Sequence, residues 1–104
     1  MIFGRVFSIL ILAGCIHSAQ AQSEHGRTLV QQFCSPCHAT AKTDVSKHPA
    51  AIPLRRVGQS YELDKFAGLL QRGALRPTHP DMPWFKFDED SATAVTNYLR
   101  SIQE

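Results

Sequence analysis

The stretch CSPCH, residues 34–38, places two cysteines three positions apart and a histidine directly after the second. The remaining cysteine, Cys15, lies in an apolar segment near the N-terminus. A disulfide between Cys34 and Cys37 would close too small a loop to stabilise a secreted domain of this size. The pair therefore indicates a chemical role and not a disulfide framework.

Three interpretations of this C-x-x-C-H pattern require different surroundings. Two thiols at this spacing can add to the two vinyl groups of one haem, and the adjacent imidazole then lies beneath the iron. A redox pair is expected in a strand-helix-strand context, and a zinc site needs a further cysteine or histidine pair at matching spacing. The chain offers neither. The motif thus favours one haem c, attached through Cys34 and Cys37, with His38 as an iron ligand.

The first 21 residues have the composition of a secretory signal. Arg5 supplies positive charge, residues 6–16 form an apolar run, and residues 19–21 (AQA) offer a cleavage site. The run is shorter than the roughly 20 residues that a membrane-spanning helix needs. We therefore expect a signal peptide over residues 1–21, a domain over residues 22–104, and a periplasmic mature protein without a transmembrane helix.

A second processing route remains as an alternative. Residues 12–15 (LAGC) resemble the lipobox of bacterial lipoproteins, in which the cysteine is lipidated and becomes N-terminal. Cleavage after Ala21 is preferred because the apolar core, the polar break and the small-residue site follow in the order of a secretory signal. A lipid anchor at Cys15 would also place the protein outside the cytoplasm.

Length and charge limit the remaining possibilities. A chain of 104 residues has room for one modest core, and we expect a monomer with a single domain after processing. The formal charge of +2 comes without a run of lysine and arginine, which disfavours nucleic acid as a partner.

Three segments show the apolar spacing of helices that bury one face. Ser23, Ser60 and residues 88–90 (DED) are predicted to begin them, and Gly73 is predicted to end the second. The three apolar stripes are Gly26, Leu29, Val30 and Phe33; Leu63, Phe66, Ala67 and Leu70; and Val95, Tyr98, Leu99 and Ile102. No strand pattern competes, so the sequence predicts an all-α protein.

The order of these features resembles the class I cytochrome c family along residues 22–104. Gly26 and Tyr98 match the positions at which the first and last helices of that family cross, and residues 34–38 match its attachment motif. Residues 82–85 (MPWF) resemble its M-P-x-F segment, which carries the distal ligand. The resemblance implies three main helices wrapped around one covalently bound haem. Val30, where the family often has an aromatic residue, and the short connection between the first two helices depart from the pattern.

The resemblance also implies the iron ligands. His38 would be the proximal ligand, oriented by a hydrogen bond from its Nδ1 to the carbonyl of Pro53, and Met82 would be the distal ligand. Met82 is the only methionine besides the initiator, and it lies in a loop bounded by prolines. His79 is the competing ligand, and its binding would lower the reduction potential.

Other residues near these motifs have weaker assignments. Trp84 and Phe85 are expected to line the haem pocket. The pair Arg55 and Arg56 would either neutralise the haem propionates or remain solvated. His25 and His48 are interpreted as surface histidines.

Together these features predict electron transfer by a monohaem protein that cycles between Fe(III) and Fe(II) and exchanges electrons with redox protein partners. Because both axial positions would be filled, no enzyme activity is expected. The alternatives are a dedicated haem subunit of a dehydrogenase or oxidase complex, and a haem-based gas sensor or peroxidase if Met82 is not a ligand. Arg72, Arg76 and Lys86 flank the ligand loop and are candidates for steering an acidic partner.

Processing can be tested directly on the exported protein. Mass spectrometry should find Gln22 at the N-terminus without lipid, because signal peptidase recognises the small residues at 19–21. The Cys15→Ser variant should be exported like the parent. A diacylated Cys15 and recovery in the membrane fraction would instead establish the lipoprotein route.

Overall fold

The computed structural model describes Gly4, residues 14–75 and residues 81–104. The helices are α1 (Gly14–Phe33), α2 (Leu63–Arg72) and α3 (Glu89–Ile102), with a 3₁₀ helix at Leu54–Gln59. These described residues contain no strand, and the all-α prediction is confirmed. Within the same residues, no helix has the length and hydropathy needed to cross a membrane.

The packing of α1 against α3 depends on the absence of a side chain at Gly26. A Cβ atom placed there would lie 2.0 Å from the carbonyl oxygen of Ala94 and 3.0 Å from Cβ of Tyr98. These distances are far below van der Waals contact, so only glycine lets the two backbones approach this closely. The predicted crossing of the first and last helices at Gly26 and Tyr98 is confirmed.

The core lies where α1, α2 and the 3₁₀ helix pack against α3. All four residues of the predicted α3 stripe are buried, and on α2 the buried residues are Phe66 and Leu70. Val30, the departure from the family pattern, is completely buried on α1. The members of the buried core cluster are Val30, Leu54, Val57, Phe66, Leu70, Ala92, Val95, Tyr98, Leu99 and Ile102.

Two of the predicted helix ends agree with the structure. The Asp88 side chain caps α3 by accepting a hydrogen bond of 2.8 Å from the backbone N–H of Ser91, and acidic residues occupy the first turn. Gly73 ends α2 in the left-handed conformation, with φ of 59°, which glycine adopts without steric cost.

The two predicted serine caps are wrong. Helix α1 spans Gly14–Phe33 in the unprocessed chain, so Ser23 lies inside the helix there and does not cap it. Ser60 ends the 3₁₀ helix, because its N–H donates to the carbonyl of Val57, and Glu62 precedes α2 without a side-chain cap. The predicted cleavage point after Ala21 lies within α1.

Gly26→Ala should destabilise the haem-loaded protein by at least about 2 kcal/mol, since the new methyl group meets a backbone carbonyl that can move only with α3. Gly68→Ala on α2 is the matched control. There the nearest atom is the flexible tip of Arg72, so the gain in helix propensity should leave stability equal or raise it by about 0.5–1 kcal/mol. Denaturant titration measures both; equal effects would contradict this account of the crossing.

Candidate functional site

The CSPCH stretch forms a tight turn at the end of α1. The N–H of Cys34 donates to the carbonyl of Val30 (2.9 Å), which continues the helical pattern for one more residue. The Cys34 carbonyl then accepts from the N–H groups of Cys37 (3.2 Å) and His38 (2.8 Å). Residues three and four apart in such a turn lie on one side. The three side chains of the motif therefore reach the same cavity.

This cavity has a volume of about 320 Å³ and lies between the three helices, within the roughly 300–1,000 Å³ usual for small-molecule and cofactor sites. Its walls are largely apolar. The chemically active side chains that line it are those of Cys34, Cys37, His38 and Met82. The apolar and aromatic residues among its walls include Leu29, Phe33, Leu54, Val57, Phe66, Leu70, Leu75, Phe85, Phe87, Val95 and Leu99.

A backbone carbonyl orients the imidazole of His38. Its Nδ1 lies 2.7 Å from the carbonyl oxygen of Ile52, which accepts a hydrogen bond when Nδ1 carries the proton. This arrangement leaves Nε2 available as a metal ligand. The assignment of this role to Pro53 is wrong, because the Pro53 carbonyl accepts from the N–H of Arg56 (2.9 Å) as the 3₁₀ helix begins. Pro53 instead restricts the backbone of Ile52, because a residue before proline favours an extended conformation.

Aromatic side chains hold the segment that follows Met82 against the end of α1. The Phe33 ring makes edge-to-face contacts with Phe85 (5.9 Å between centroids) and Phe87 (5.4 Å). The N–H of Phe87 donates to the carbonyl of Leu70 (3.0 Å), which fixes the segment to α2 as well. Phe85 lines the cavity, as the sequence predicts, whereas the contributions of Phe33 and Phe87 carried no signal beyond their hydrophobicity.

The prediction for Trp84 is wrong. It is absent from the cavity walls formed by the described residues, and 71% of its surface is exposed. Its Nε1 donates to the carbonyl of Gly73 (2.8 Å), and its ring covers Gly73, where a Cβ would lie 2.4 Å from the indole. Residues 83–88 lie outside the helices, and from Trp84 to Asp88 exposed and partly buried residues alternate, so that Phe85 takes an inward position and Trp84 an outward one.

Arg55 and Arg56 are not among the residues that line the cavity; the Arg55 side chain is largely buried, whereas that of Arg56 is half-exposed. The two Nε atoms lie 3.0 Å and 3.1 Å from the carboxylate oxygens of Glu104, near the C-terminus. Arg55 also donates through Nη1 to the carbonyl of Asp44 (2.7 Å). Their charges are therefore compensated within the protein. This pairing spans 48 or more positions along the chain and has no local sequence signal.

Asp44 closes the loop that follows His38. Its carboxylate accepts hydrogen bonds from the N–H groups of Thr40 (2.9 Å) and Ala41 (3.0 Å). Partial burial raises the pKa of Asp44, but these hydrogen bonds and the Arg55 charge lower it by more, so the net pKa lies below its ordinary value. The Tyr98 hydroxyl donates to the Thr40 carbonyl (2.6 Å) and connects the same loop to α3.

The two cysteines are not joined in a disulfide. Burial among apolar side chains raises the pKa of the Cys34 thiol to about 11, whereas redox-active C-x-x-C pairs have lowered pKa values. The described residues contain no group of three or more histidine, cysteine, aspartate or glutamate side chains arranged to hold a metal ion by themselves. Neither the redox-pair nor the zinc interpretation gains support here. The competing ligand His79, together with Arg76, lies outside the described residues.

The donor set fits a covalently attached haem. Two thiols, an imidazole with a free Nε2 and a thioether line one apolar cavity, which provides the groups for attachment and for both axial positions. Three helices around a cavity with these donors place the chain in the class of small proteins that bind haem covalently. Comparison with protein-family models matches residues 23–103 to the family Cytochrome c, and the chain belongs to this family.

A search of the curated proteins and a search of the solved structures found no match. Members of the cytochrome c family bind haem c through a cysteine pair and carry electrons. In this chain the pair is Cys34 and Cys37. The general function of the protein is haem-based electron transfer.

The lowered pKa of Asp44 predicts a pH-dependent contribution to stability. The contribution is fully present above the unfolded-state pKa of about 3.9 and disappears as the pH falls through the lower folded-state pKa. Asp44→Ala should lose roughly 1 kcal/mol at pH 7, because two N–H groups lose their acceptor. Thermal unfolding of parent and variant between pH 7 and pH 2 measures the difference. A difference that does not shrink in acid would contradict the proposed role of the carboxylate.

Proposed function

We propose that this protein is a monohaem electron carrier in which His38 and Met82 are the two axial ligands of the iron. One observation carries the proposal: both side chains line the cavity that Cys34 and Cys37 also line. The carbonyl of Ile52 supports the assignment of His38, since it occupies Nδ1 and leaves Nε2 for the metal. Met82 supports its own assignment as the distal ligand, because it is the one methionine among the described residues and its thioether lines this cavity together with Phe85.

A haem held by Cys34 and Cys37 would supply one-electron chemistry through its Fe(III)/Fe(II) couple. The chain holds the cofactor covalently at Cys34 and Cys37, and the rings of Phe33, Phe85 and Phe87 limit the access of water. A thioether ligand favours the ferrous state relative to a second imidazole, so it raises the reduction potential. The hydrogen bond from His38 to the Ile52 carbonyl and the contacts of Phe33 with Phe85 and Phe87 restrain the two segments that carry the proposed ligands.

The partners in this proposal are redox proteins, one electron donor and one acceptor. Arg72 and Lys86 are exposed. Trp84 lies between them along the chain, and its ring covers Gly73, the neighbour of Arg72. A surface with fixed indole and basic side chains favours association with an acidic protein, most strongly at low salt. Export by the N-terminal signal would place these encounters in the periplasm, either as a free carrier or as a subunit of a larger redox complex.

Replacement of Met82 tests the ligand assignment. The oxidised parent should show the weak far-red charge-transfer band of iron-thioether bonding, and Met82→Ala should abolish it without release of the covalent haem. The reduction potential should fall by on the order of 0.1 V, a fraction of the roughly 0.8 V range over which axial ligands set haem potentials. The ferrous variant should also bind carbon monoxide faster, since a coordination position becomes available.

His79→Ala is the matched control and should change none of these properties. If the parent lacks the band and His79→Ala opens the iron to carbon monoxide, the sixth ligand is histidine and the carrier has a low potential. If the unmodified ferrous protein already binds carbon monoxide as fast as Met82→Ala, the gas-sensor or peroxidase alternative replaces the carrier.

A further inference from the structure

His48 connects the attachment turn to the loop that carries Met82. Its backbone N–H donates to the carbonyl of Cys37 (3.0 Å), which fixes His48 to the C-x-x-C-H turn. Its Nε2 lies 3.1 Å from Oδ2 of Asp81, the residue that precedes Met82. The two interacting residues are 33 positions apart in sequence.

The tautomer of His48 follows from its second contact. The N–H of Ala50 donates to His48 Nδ1 (3.0 Å), so Nδ1 is the unprotonated nitrogen of the ring. The proton of the neutral imidazole is therefore on Nε2, which donates it to the Asp81 carboxylate. A hydrogen bond with one charged partner is stronger than one between neutral groups. The ring is thus held on one side by the backbone and holds Asp81 on the other.

Residues 81–87, which include Met82, are held by contacts at both ends. Behind Met82, Phe85 and Phe87 contact Phe33 of α1. In front of it, Asp81 bonds to His48. Asp81 itself is largely exposed, with 68% of its side chain accessible, so the hydrophobic effect does not hold it in place. The hydrogen bond from His48 is the contact that restrains this end of the loop among the described residues.

We propose that His48 is a positioning residue for the distal ligand: through Asp81 it holds the Met82 loop over the cavity and limits displacement of the thioether. The proposal rests on the proposed function, in which Met82 binds the iron. His48 touches neither the iron nor Met82 in this role, and it acts through the loop. The sequence suggests a surface histidine; this proposal adds a role to a side chain of which 27% is exposed.

Imidazole added to the oxidised, haem-loaded protein competes with Met82 and measures how firmly the loop is held. His48→Asn retains an acceptor for the Ala50 N–H, as in an Asx turn, but is too short to reach Asp81. His48→Gln places an amide donor near the original position of Nε2 but loses the Ala50 contact. Asp81→Ala removes the acceptor, and His25→Asn changes an exposed histidine on α1 as a control.

His48→Asn and Asp81→Ala should each raise the apparent affinity for imidazole about two- to fivefold, the effect of losing one partly exposed charged contact. At one fixed concentration of imidazole, these variants should therefore lose more of the far-red band than the parent does. The double variant should bind no more tightly than either single variant, because both remove the same interaction. His48→Gln and His25→Asn should resemble the parent.

Parental affinities in both His48→Asn and Asp81→Ala would overturn the proposal. Equal increases in His48→Asn and His48→Gln, with none in Asp81→Ala, would also overturn it and assign the effect to the Ala50 turn. A parent that lacks the far-red band would reject Met82 as a ligand and this inference with it. A parent with the band and unresponsive variants would reject the bridge alone.

Discussion

The contact between Gly26 on α1 and the backbone of Ala94 on α3 determines where the functional groups lie. Because α1 continues without a break into the attachment turn, the crossing point fixes the direction from which Cys34, Cys37 and His38 enter the cavity. The same close approach brings Tyr98 within reach of the Thr40 carbonyl, and this bond ties the loop after His38 to α3. A wider crossing would displace the cysteines and the loop together.

Around this frame, the cavity is closed by contacts between segments that are distant in sequence. The Ile52 carbonyl orients His38, Phe33 packs against Phe85 and Phe87, and His48 bonds to Asp81. Each contact joins the half of the chain that attaches the haem to a loop or helix that completes the pocket. A chain this small buries little apolar surface by itself, so the cofactor and these few contacts carry much of the structural specificity.

Local rules succeeded where the environment of a residue is set by its near neighbours. The apolar stripes of α2 and α3, the Asp88 cap and the left-handed Gly73 depend on residues within one or two turns, and the sequence predicted them. The serine caps failed because Ser23 lies inside α1 of the unprocessed chain and Ser60 ends the preceding 3₁₀ helix. The position of Trp84 was predicted wrongly because burial alternates along residues 84–88, and the sequence does not specify whether Trp84 or Phe85 faces inward.

The sequence by itself determined the attachment chemistry of this protein. The CSPCH motif selects covalent haem, because the spacing of the two thiols and the imidazole is a local property, and residues 82–85 carry the thioether that we propose as the distal ligand. Only the tertiary structure decided which groups hold those ligands. Long-range packing decides that His38 donates to the carbonyl of Ile52 and not to that of Pro53. It also brings Glu104 to Arg55 and Arg56, and His48 to Asp81. Hydrogen bonds act over about 3 Å, and no periodicity in a sequence specifies which distant residues come that close.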